Sequence, residues 1–327
     1  MIILLQNNNL YIQGCGLFIG KKSRRLQITQ KNKTLDEYPL IHMRNLILAG
    51  NGLGISTDLI QALSTNNIPI ICFDNLSRPY AYFSSPSVLH HVRLRRAQLE
   101  LTDNKRALLT RTIINAKVER QFTLVKQLKI KNREQMEHTE RSISTNKLLS
   151  QQTIGGTLGI EAHIAALYWQ IIASMVPTAY HFHKRVHQHP ADLVNKLFNY
   201  GYGILYTHIW RLVTLVGFDP FIGIFHKDGR ARPALIYDLA ESYRPIVDTV
   251  VLRYLRKNIN KTMNFSQRIK KFLITNIEKE LNEITRGTDG KRYKRKDLME
   301  QEFRKIARYC KNETQDLAAI FEPSFMD

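Results

Sequence analysis

Two acidic residues in the stretch IYDLAESYRP have a spacing that could serve chemistry. Asp238 and Glu241 are three positions apart, so a helix would place both carboxylates on one face, with Cβ atoms about 5–6 Å apart. Arg244 follows three positions later on the same face. Like charges this close repel each other unless a cation or a guanidinium lies between them. The pattern therefore allows either the acid–base stripe of an amphipathic helix or a site for a cation.

A histidine and a further glutamate precede this stretch. His226 follows a turn that Pro220 and Gly223 bracket, although a single histidine is more often a core or surface residue than a ligand. Glu161 lies in the first turns of a predicted helix that begins among the glycines of GGTLGIEAHIAALYWQ. A carboxylate there can also serve only to complement the helix dipole, which is worth about 0.3–1 kcal/mol. Neither residue identifies a site on its own.

Taken together, these segments supply two carboxylates and an imidazole, with Asp238 as a fourth group. Oxygen ligands with one histidine suit Mg²⁺ or Mn²⁺ better than zinc. The sequence contains no CxxC pair and no recognisable Ser–His–Asp arrangement, which argues against a cysteine zinc site and a protein nucleophile. In a strongly basic chain such an ion indicates phosphodiester chemistry, in which it polarises the phosphate and aligns the attacking and leaving oxygens.

The charge balance points to a polyanionic partner. The 327 residues include 48 Lys and Arg against 28 Asp and Glu, a formal charge of +20. This excess predicts nucleic acid rather than a membrane surface as the partner. The alternative is a basic enzyme without such a partner. The residues predicted to contact double-stranded DNA are Arg93, Arg95, Arg96, Lys184, Arg185, Arg244, Lys291 and Arg292. The last two begin a basic cluster that runs to Lys296.

The segment HFHKRVHQHP combines four histidines with two of these cations. Histidines 181, 183, 187 and 189 could bind a metal of their own. The favoured interpretation is a polar loop that keeps Lys184 and Arg185 near DNA. Because histidine titrates near neutral pH, such a loop would make DNA affinity sensitive to pH.

Hydrophobic periodicity predicts an α+β protein with two domains. Short segments rich in Val, Ile, Leu and Phe indicate strands in the first part of the chain. After SRPYAYFSSPS, at 77–87, the period changes from that of strands to that of helices. We expect a β-rich N-terminal domain over 1–85 and a larger all-α catalytic and DNA-binding domain over 86–327. The glycine-rich GNGLG at 50–54 lacks the Lys-Ser/Thr of a phosphate loop and is predicted to be a structural turn.

The remaining sequence features favour a cytoplasmic protein. Its three cysteines are scattered and odd in number, which fits a reducing compartment rather than a disulfide framework. The short apolar run at the N-terminus has no basic leader, so we expect no signal peptide. No run of apolar residues is long enough to predict a membrane span.

The order of the motifs resembles one known family. The segments that carry the likeness are GIEAHIAALYW, DLVNKLFNYGYGIL, GFDPFIGIFH and RPALIYDLAESYRP. They follow one another as in the CRISPR-associated adaptation integrases, the Cas-one family. An earlier segment, ILAGNGLGISTDLIQALSTNNIPIICFD, resembles the N-terminal half of that family. The likeness covers nearly the whole chain, and the motifs are specific as a set although each is weak alone.

This resemblance implies a function and an assembly. The family enzyme is a DNA endonuclease and integrase that depends on Mg²⁺ or Mn²⁺ and inserts spacer DNA into the repeat of a CRISPR array. The β-rich domain would serve dimerisation. The homodimer would bind the small partner Cas-two, with two such dimers flanking one partner dimer.

The resemblance also assigns roles by position. The metal ligands would be Glu161, His226 and Glu241. Asp238 would be an accessory acidic residue of the catalytic centre, and Arg244 a basic residue near DNA. One departure is Ala162, which stands where the family usually has glycine; a helix tolerates alanine well.

Two other functions fit the same residues. A metal-dependent nuclease unrelated to CRISPR would use the same site with water as the nucleophile, and joining of hydroxyl-ended duplexes to a target would separate it from an integrase. A basic DNA-binding scaffold without catalysis would carry the acidic groups for structural reasons only, and activity in Mn²⁺ would exclude it.

Overall fold

The chain divides into two compact units. The computed structural model describes residues 1–74, 79–86, 91–127, 150–188, 190–226, 232–259, 264–317 and 320–326. One unit comprises Met1–His91 with Ser266–Glu278, and the other comprises Val92–Phe265 with Lys279–Asp327. The sequence predicted one domain boundary, between positions 85 and 86, which would place Ser266–Glu278 in the second domain. That boundary stays a prediction.

The first unit is built from two sheets. Its described strands are β1 (Ile2–Gln6), β2 (Asn9–Gln13), β3 (Leu17–Lys22), β4 (Arg25–Gln30), β5 (Lys33–Pro39), β6 (Asn45–Ala49), β7 (Leu53–Ile55), β8 (Ile70–Phe73) and β9 (Pro79–Phe83). One sheet has the order β1-β2-β6-β8-β9, with β2, β6 and β8 parallel, and the other has the order β5-β4-β3-β7. Helix α1 (Thr57–Thr65) packs with both sheets around one apolar core that includes Leu10, Ile19, Leu46 and Leu59.

The glycines of GNGLG are explained by the backbone that joins β6 to β7. Gly50 and Gly52 have φ angles of 112° and 67°, a region that side chains rarely adopt. A Cβ at Gly50 would lie 2.4 Å from the carbonyl oxygen of Gly14. The prediction of a structural turn here is confirmed.

The second unit is helical. Its described helices are α2 (Val92–Leu99), α3 (Asp103–Gln127), α4 (Ile154–Met175), α5 (Leu193–Val216), α6 (Ala234–Ala240), α7 (Arg244–Lys257) and α9 (Arg295–Cys310), whereas α8 (Gln267–Asn282) begins in the first unit and ends in the second. A strand-rich part followed by a helical part confirms the α+β class. Within the described ranges, no helix has the length and apolar character needed to cross a membrane.

The second unit is helical apart from one short hairpin. Strands β10 (Ile284–Arg286) and β11 (Arg292–Lys294) form an antiparallel hairpin just before α9. Its turn contains Gly290 at φ 79°, and Asp289 accepts hydrogen bonds from the Lys291 N–H and the Tyr293 hydroxyl. Because this stretch is rich in basic residues, the sequence analysis treated it as a basic cluster and did not predict the turn.

A buried ionic cluster anchors the turn Glu241–Tyr243, a 3-10 turn between α6 and α7. The Arg120 guanidinium of α3 lies 2.7 Å from Glu302 Oε1 of α9 and donates to the carbonyl of Ser242 at 3.2 Å. The hydroxyl of Tyr243 donates to the other oxygen of Glu302. Removing one partner of such a buried pair is strongly destabilising. The cluster therefore fixes the short segment that carries Glu241.

A second buried carboxylate makes stability depend on pH. Asp248 of α7 is almost fully buried and accepts hydrogen bonds of 2.6 Å from the hydroxyls of Tyr168 and Tyr202. Burial raises the pKa of Asp248 to about 6, even though both hydroxyls favour the charged form. The folded state therefore binds this proton more tightly than the unfolded state. The resulting stabilisation is present below about pH 4 and is lost as the pH rises through about 6.

We expect Asp248→Asn to remove this pH dependence. The free energy of unfolding of the wild type, measured in urea, should fall relative to that of the variant by up to roughly 3 kcal/mol between pH 4 and pH 7. Above pH 7 the difference should stay constant. A difference that is constant over the whole range would contradict the assignment to Asp248.

Candidate active site

Glu161 and Glu241 meet at one buried ammonium group. The Nζ atom of Lys117, on α3, lies 2.5 Å from Oε1 of Glu161 on α4 and 2.7 Å from Oε2 of Glu241. The side chains of Lys117 and Glu241 are each 7% exposed. Burial lowers the pKa of Lys117, but the two carboxylates outweigh this effect and raise it. Three helical elements therefore bring two of the predicted ligands together around a cation.

Arg244 holds the other oxygen of Glu241. Its Nη1 lies 2.7 Å from Glu241 Oε1, and its guanidinium carbon lies 5.2 Å from the centre of the Tyr202 ring. Burial raises the pKa of Glu241, but the charges of Arg244 and Lys117 outweigh burial and lower it to about 2. Glu241 is therefore a carboxylate at any physiological pH.

Asp238 faces the loop that carries His226 rather than the two glutamates. It is fully buried, and Oδ1 lies 2.5 Å from Nδ1 of His226. Its carboxylate also accepts the backbone N–H groups of Ile224, Phe225 and His226. A histidine that donates its Nδ1–H to a carboxylate keeps the lone pair on Nε2 for a ligand. Asp238 therefore orients the imidazole and its loop.

The tightness of this loop explains Gly223. A Cβ at this position would lie 2.5 Å from the carbonyl oxygen of His226 and 2.8 Å from Cβ of Ala234. Both distances are shorter than normal contacts, so a larger residue would push the loop away from α6. The sequence indicated a turn before His226. The need for glycine at position 223 becomes clear only from the packing of the loop against α6.

The chemistry of these side chains fits a hard or borderline divalent ion. Two carboxylates and an imidazole are typical ligands of Mn²⁺ and, through their oxygens, of Mg²⁺. Oε2 of Glu241 is buried and lies 2.7 Å from the ammonium of Lys117, so this oxygen faces a cation. Across the described ranges, no three His, Cys, Asp or Glu side chains are gathered closely enough to hold a metal ion. The assignment of Glu161, His226 and Glu241 as one ligand set stays a prediction.

Lys117 is the residue of this site that the sequence analysis missed. It lies in IINAKVERQ, where its neighbours Ala116 and Val118 are buried, as is Ile114. A lysine on the buried face of a helix is uncommon unless it is paired. That position was the only signal in the sequence, and the partners of Lys117 come from distant segments.

The arginines of α2 do not share one environment. Arg93 and Arg96 are exposed and lie three positions apart, so they occupy one helix face. Arg93 lies 3.8 Å from Glu313, a distance typical of a weak surface ion pair. Arg95 is only partly exposed, and its Nε is buried. Contact of these three arginines with DNA stays a prediction. Arg93 and Arg96 are exposed and could reach a phosphate, whereas Arg95 is less accessible.

Lys184 and Arg185 also differ. Lys184 is exposed, whereas the Arg185 guanidinium donates to the carbonyl of Val186 and to the amide oxygens of Asn195 and Asn199. It also lies 5.4–5.7 Å from the centres of three aromatic rings. These contacts give Arg185 a role in packing that the sequence did not reveal. DNA contact by Arg185 stays a prediction.

The histidine segment gives no evidence for a second metal among its described residues, since no cluster of ligands is found there. His189 lies outside the described residues. Desolvation, aided by the charges of Arg185 and Arg244, lowers the pKa of His187 to about 4. The expectation that this loop makes DNA affinity sensitive to pH stays a prediction.

The basic cluster that begins at Lys291 lies on the hairpin and the start of α9. Lys291 and Arg292 are exposed, whereas Arg295 is buried with its guanidinium 2.6 Å from Glu280. Beside the hairpin is an open groove of about 1040 Å³, lined in part by Arg286 and Arg292. The exposed part of the cluster is thus accessible to an anion, and Arg295 is structural.

Comparisons with known proteins give the family. The protein-family model described as CRISPR associated protein Cas1 matches residues 10–282 of this chain. The CRISPR-associated endonuclease Cas1 1 of Pyrobaculum aerophilum is 30% identical over 248 residues, which are 74% of this chain and 80% of the relative.

Two solved structures share the fold. A casposase bound to integration product has a TM-score of 0.83 at 20% identity, covering 98% of this chain and 96% of the other. A Cas6-RT-Cas1–Cas2 complex has a TM-score of 0.78 at 18% identity, covering 98% of this chain and 37% of the other.

The match to the family model defines one class of protein, the CRISPR-associated proteins. The chain belongs to the Cas1 family. The resemblance found in the sequence motifs is therefore confirmed.

Proposed function

We propose that this protein is a metal-dependent DNA integrase and endonuclease that inserts spacer DNA into a CRISPR array. The observation that supports this most directly is the convergence of Glu161 and Glu241 on one buried cation in a chain of the Cas1 family. A relative is named an endonuclease, and a structural neighbour is a casposase bound to integration product.

In this proposal Glu161, Glu241 and His226, the last through Nε2, would hold Mg²⁺ or Mn²⁺. When bound, such an ion polarises the scissile phosphate and neutralises the charge that develops there. Asp238 keeps Nε2 available by accepting the Nδ1–H of His226. Arg244 holds the Glu241 carboxylate in position and adds a fixed positive charge to the site.

The reaction is a transesterification. The 3′-hydroxyl at the end of a captured duplex attacks a phosphodiester of the repeat, and the new phosphorus–oxygen bond replaces the bond to the displaced 3′ oxygen. The number of phosphodiester bonds is unchanged, so no nucleoside triphosphate is consumed. Hydrolysis would follow the same path with water in place of the 3′-hydroxyl.

The proposed partners are double-stranded DNA, a second copy of this chain and the small protein Cas2. Family membership and the neighbour solved in a Cas1–Cas2 complex support Cas2 as a partner. The proposed assembly has two homodimers flanking one Cas2 dimer.

The proposal is tested by strand transfer. The protein, with Cas2, should join a labelled duplex with 3′-hydroxyl ends to repeat DNA in Mn²⁺ or Mg²⁺. A duplex with 3′-deoxy ends should not be joined, and EDTA should stop the reaction. Cleavage of the repeat without joining would favour a nuclease instead, and the absence of both activities in Mn²⁺ would favour a DNA-binding scaffold.

The hairpin cations should contribute to DNA affinity without reading sequence, because Lys and Arg position a duplex through its phosphates. We expect the double variant Lys291→Glu/Arg292→Glu to reduce the slope of log affinity against log salt by about 0.9 for each phosphate that the protein no longer neutralises. The measurement is duplex affinity by fluorescence anisotropy over a range of salt concentrations.

Lys21→Glu/Lys22→Glu provides a matched control. These lysines are exposed on β3 in the other unit, outside the predicted DNA-binding residues. The control should leave the slope of the wild type unchanged. An equal reduction in both double variants would indicate that only the net charge matters and would remove the hairpin from the DNA-binding surface.

A further inference from the structure

Lys117 occupies the place where two of the proposed ligands meet. Its Nζ is within 2.7 Å of an oxygen of both Glu161 and Glu241, and its side chain is 7% exposed. Arg244 lies 2.7 Å from the remaining oxygen of Glu241. Both oxygens of Glu241 therefore face a cation supplied by the protein itself.

The charges of this cluster cancel. Two carboxylates, Glu161 and Glu241, are matched by the ammonium of Lys117 and the guanidinium of Arg244. A Mg²⁺ ion requires oxygen ligands at about 2.0–2.1 Å. An ion bound by the same two oxygens would therefore lie very close to the ammonium. At such a distance, in a buried site, the repulsion between the two cations is strong.

We propose that Lys117 is a built-in competitor for the divalent ion. Its ammonium holds the two carboxylates together in the metal-free protein, and it leaves the cluster when the ion binds. The lysine stem is flexible, whereas the helix that carries it is fixed by the buried neighbours Ala116 and Val118. Lys117 thus sets the ion concentration at which the site fills. This inference rests on the proposed function, since it requires Glu161 and Glu241 to be metal ligands.

The first test is Mn²⁺ binding to the full chain by isothermal titration calorimetry after the metal has been stripped. Lys117→Met keeps an unbranched apolar stem but lacks the ammonium group, so Mn²⁺ should bind at least about tenfold more tightly than to the wild type. The metal-free variant should melt at a lower temperature and recover on addition of Mn²⁺. Lys117→Arg retains the charge and should bind Mn²⁺ as the wild type does. A Lys117→Met variant that binds Mn²⁺ no more tightly than the wild type overturns the inference.

The second test uses the wild type and does not depend on the folding of a variant. An amine-reactive acylating reagent, followed by mass spectrometry, should modify Lys117 slowly without metal and several-fold faster with Mn²⁺. Equal protection in both conditions would overturn the inference.

Glu241→Gln separates failure of this inference from failure of the metal site. If that variant loses Mn²⁺ binding while Lys117 behaves as a bystander in both tests, only the role of Lys117 falls. If it binds Mn²⁺ with the affinity of the wild type, the proposed metal site and the inference both fall.

Discussion

Replacing Glu241 by glutamine should abolish strand joining, with a reduction in rate of about 10³-fold or more. The substitution keeps the shape of the side chain but removes the buried carboxylate that faces Lys117 and Arg244. A metal ligand of this kind stabilises the transition state by several kcal/mol, which corresponds to at least this reduction in rate. The measurement is the initial rate of joining in saturating Mn²⁺, with circular dichroism to verify the fold.

Glu300→Gln is the matched control for this variant. Glu300 forms a partly exposed ion pair of 2.8 Å with Arg304 on α9, and surface pairs contribute little to stability. The control should join DNA at the rate of the wild type. Should Glu241→Gln retain activity within tenfold of the wild type in both Mg²⁺ and Mn²⁺, the assignment of Glu241 as a ligand would be wrong.

Asp238→Asn should reduce strand joining by about 10–100-fold, which is a smaller effect than that of Glu241→Gln. The two oxygens of Asp238 accept three backbone N–H groups and the Nδ1–H of His226, two bonds to each oxygen. In asparagine the amide nitrogen that replaces one oxygen cannot accept the two bonds of that oxygen. The variant should also require a higher Mn²⁺ concentration for half-maximal activity, because the imidazole is no longer held in one orientation.

The comparison of these two variants separates orientation from ligation. Asp58→Asn, an exposed position in the first turn of α1, is a suitable control for the chemical change alone. If Asp238→Asn were the more damaging of the two site variants, the third ligand would be Asp238 rather than Glu241.

The spacing of Asp238 and Glu241 predicted a shared helical face, but the fold gives the two carboxylates different partners. Helix α6 ends at Ala240, and Glu241 begins a 3-10 turn that directs it toward α3 and α4. Asp238 is instead surrounded by the N–H groups of the loop before it. Local periodicity predicts which residues share a face, but these partners depend on contacts between distant segments.

The same limit explains the residues whose roles sequence patterns did not reveal. The sequence analysis did not single out Lys117 among the many cations, and it predicted Arg185 only as a DNA contact. One is buried between two carboxylates, and the other is held by asparagine amides and aromatic rings. In contrast, the α+β class followed directly from the change in hydrophobic period, since burial of one face determines that period.

The central claim is that Glu161, Glu241 and His226 hold one divalent ion. The most direct measurement is anomalous X-ray scattering from crystals of the protein soaked in Mn²⁺. We expect one strong peak within about 2.3 Å of a carboxylate oxygen of each glutamate and of Nε2 of His226, with the Lys117 ammonium displaced from between the glutamates. A peak elsewhere, or none between these side chains at saturating Mn²⁺, would contradict it.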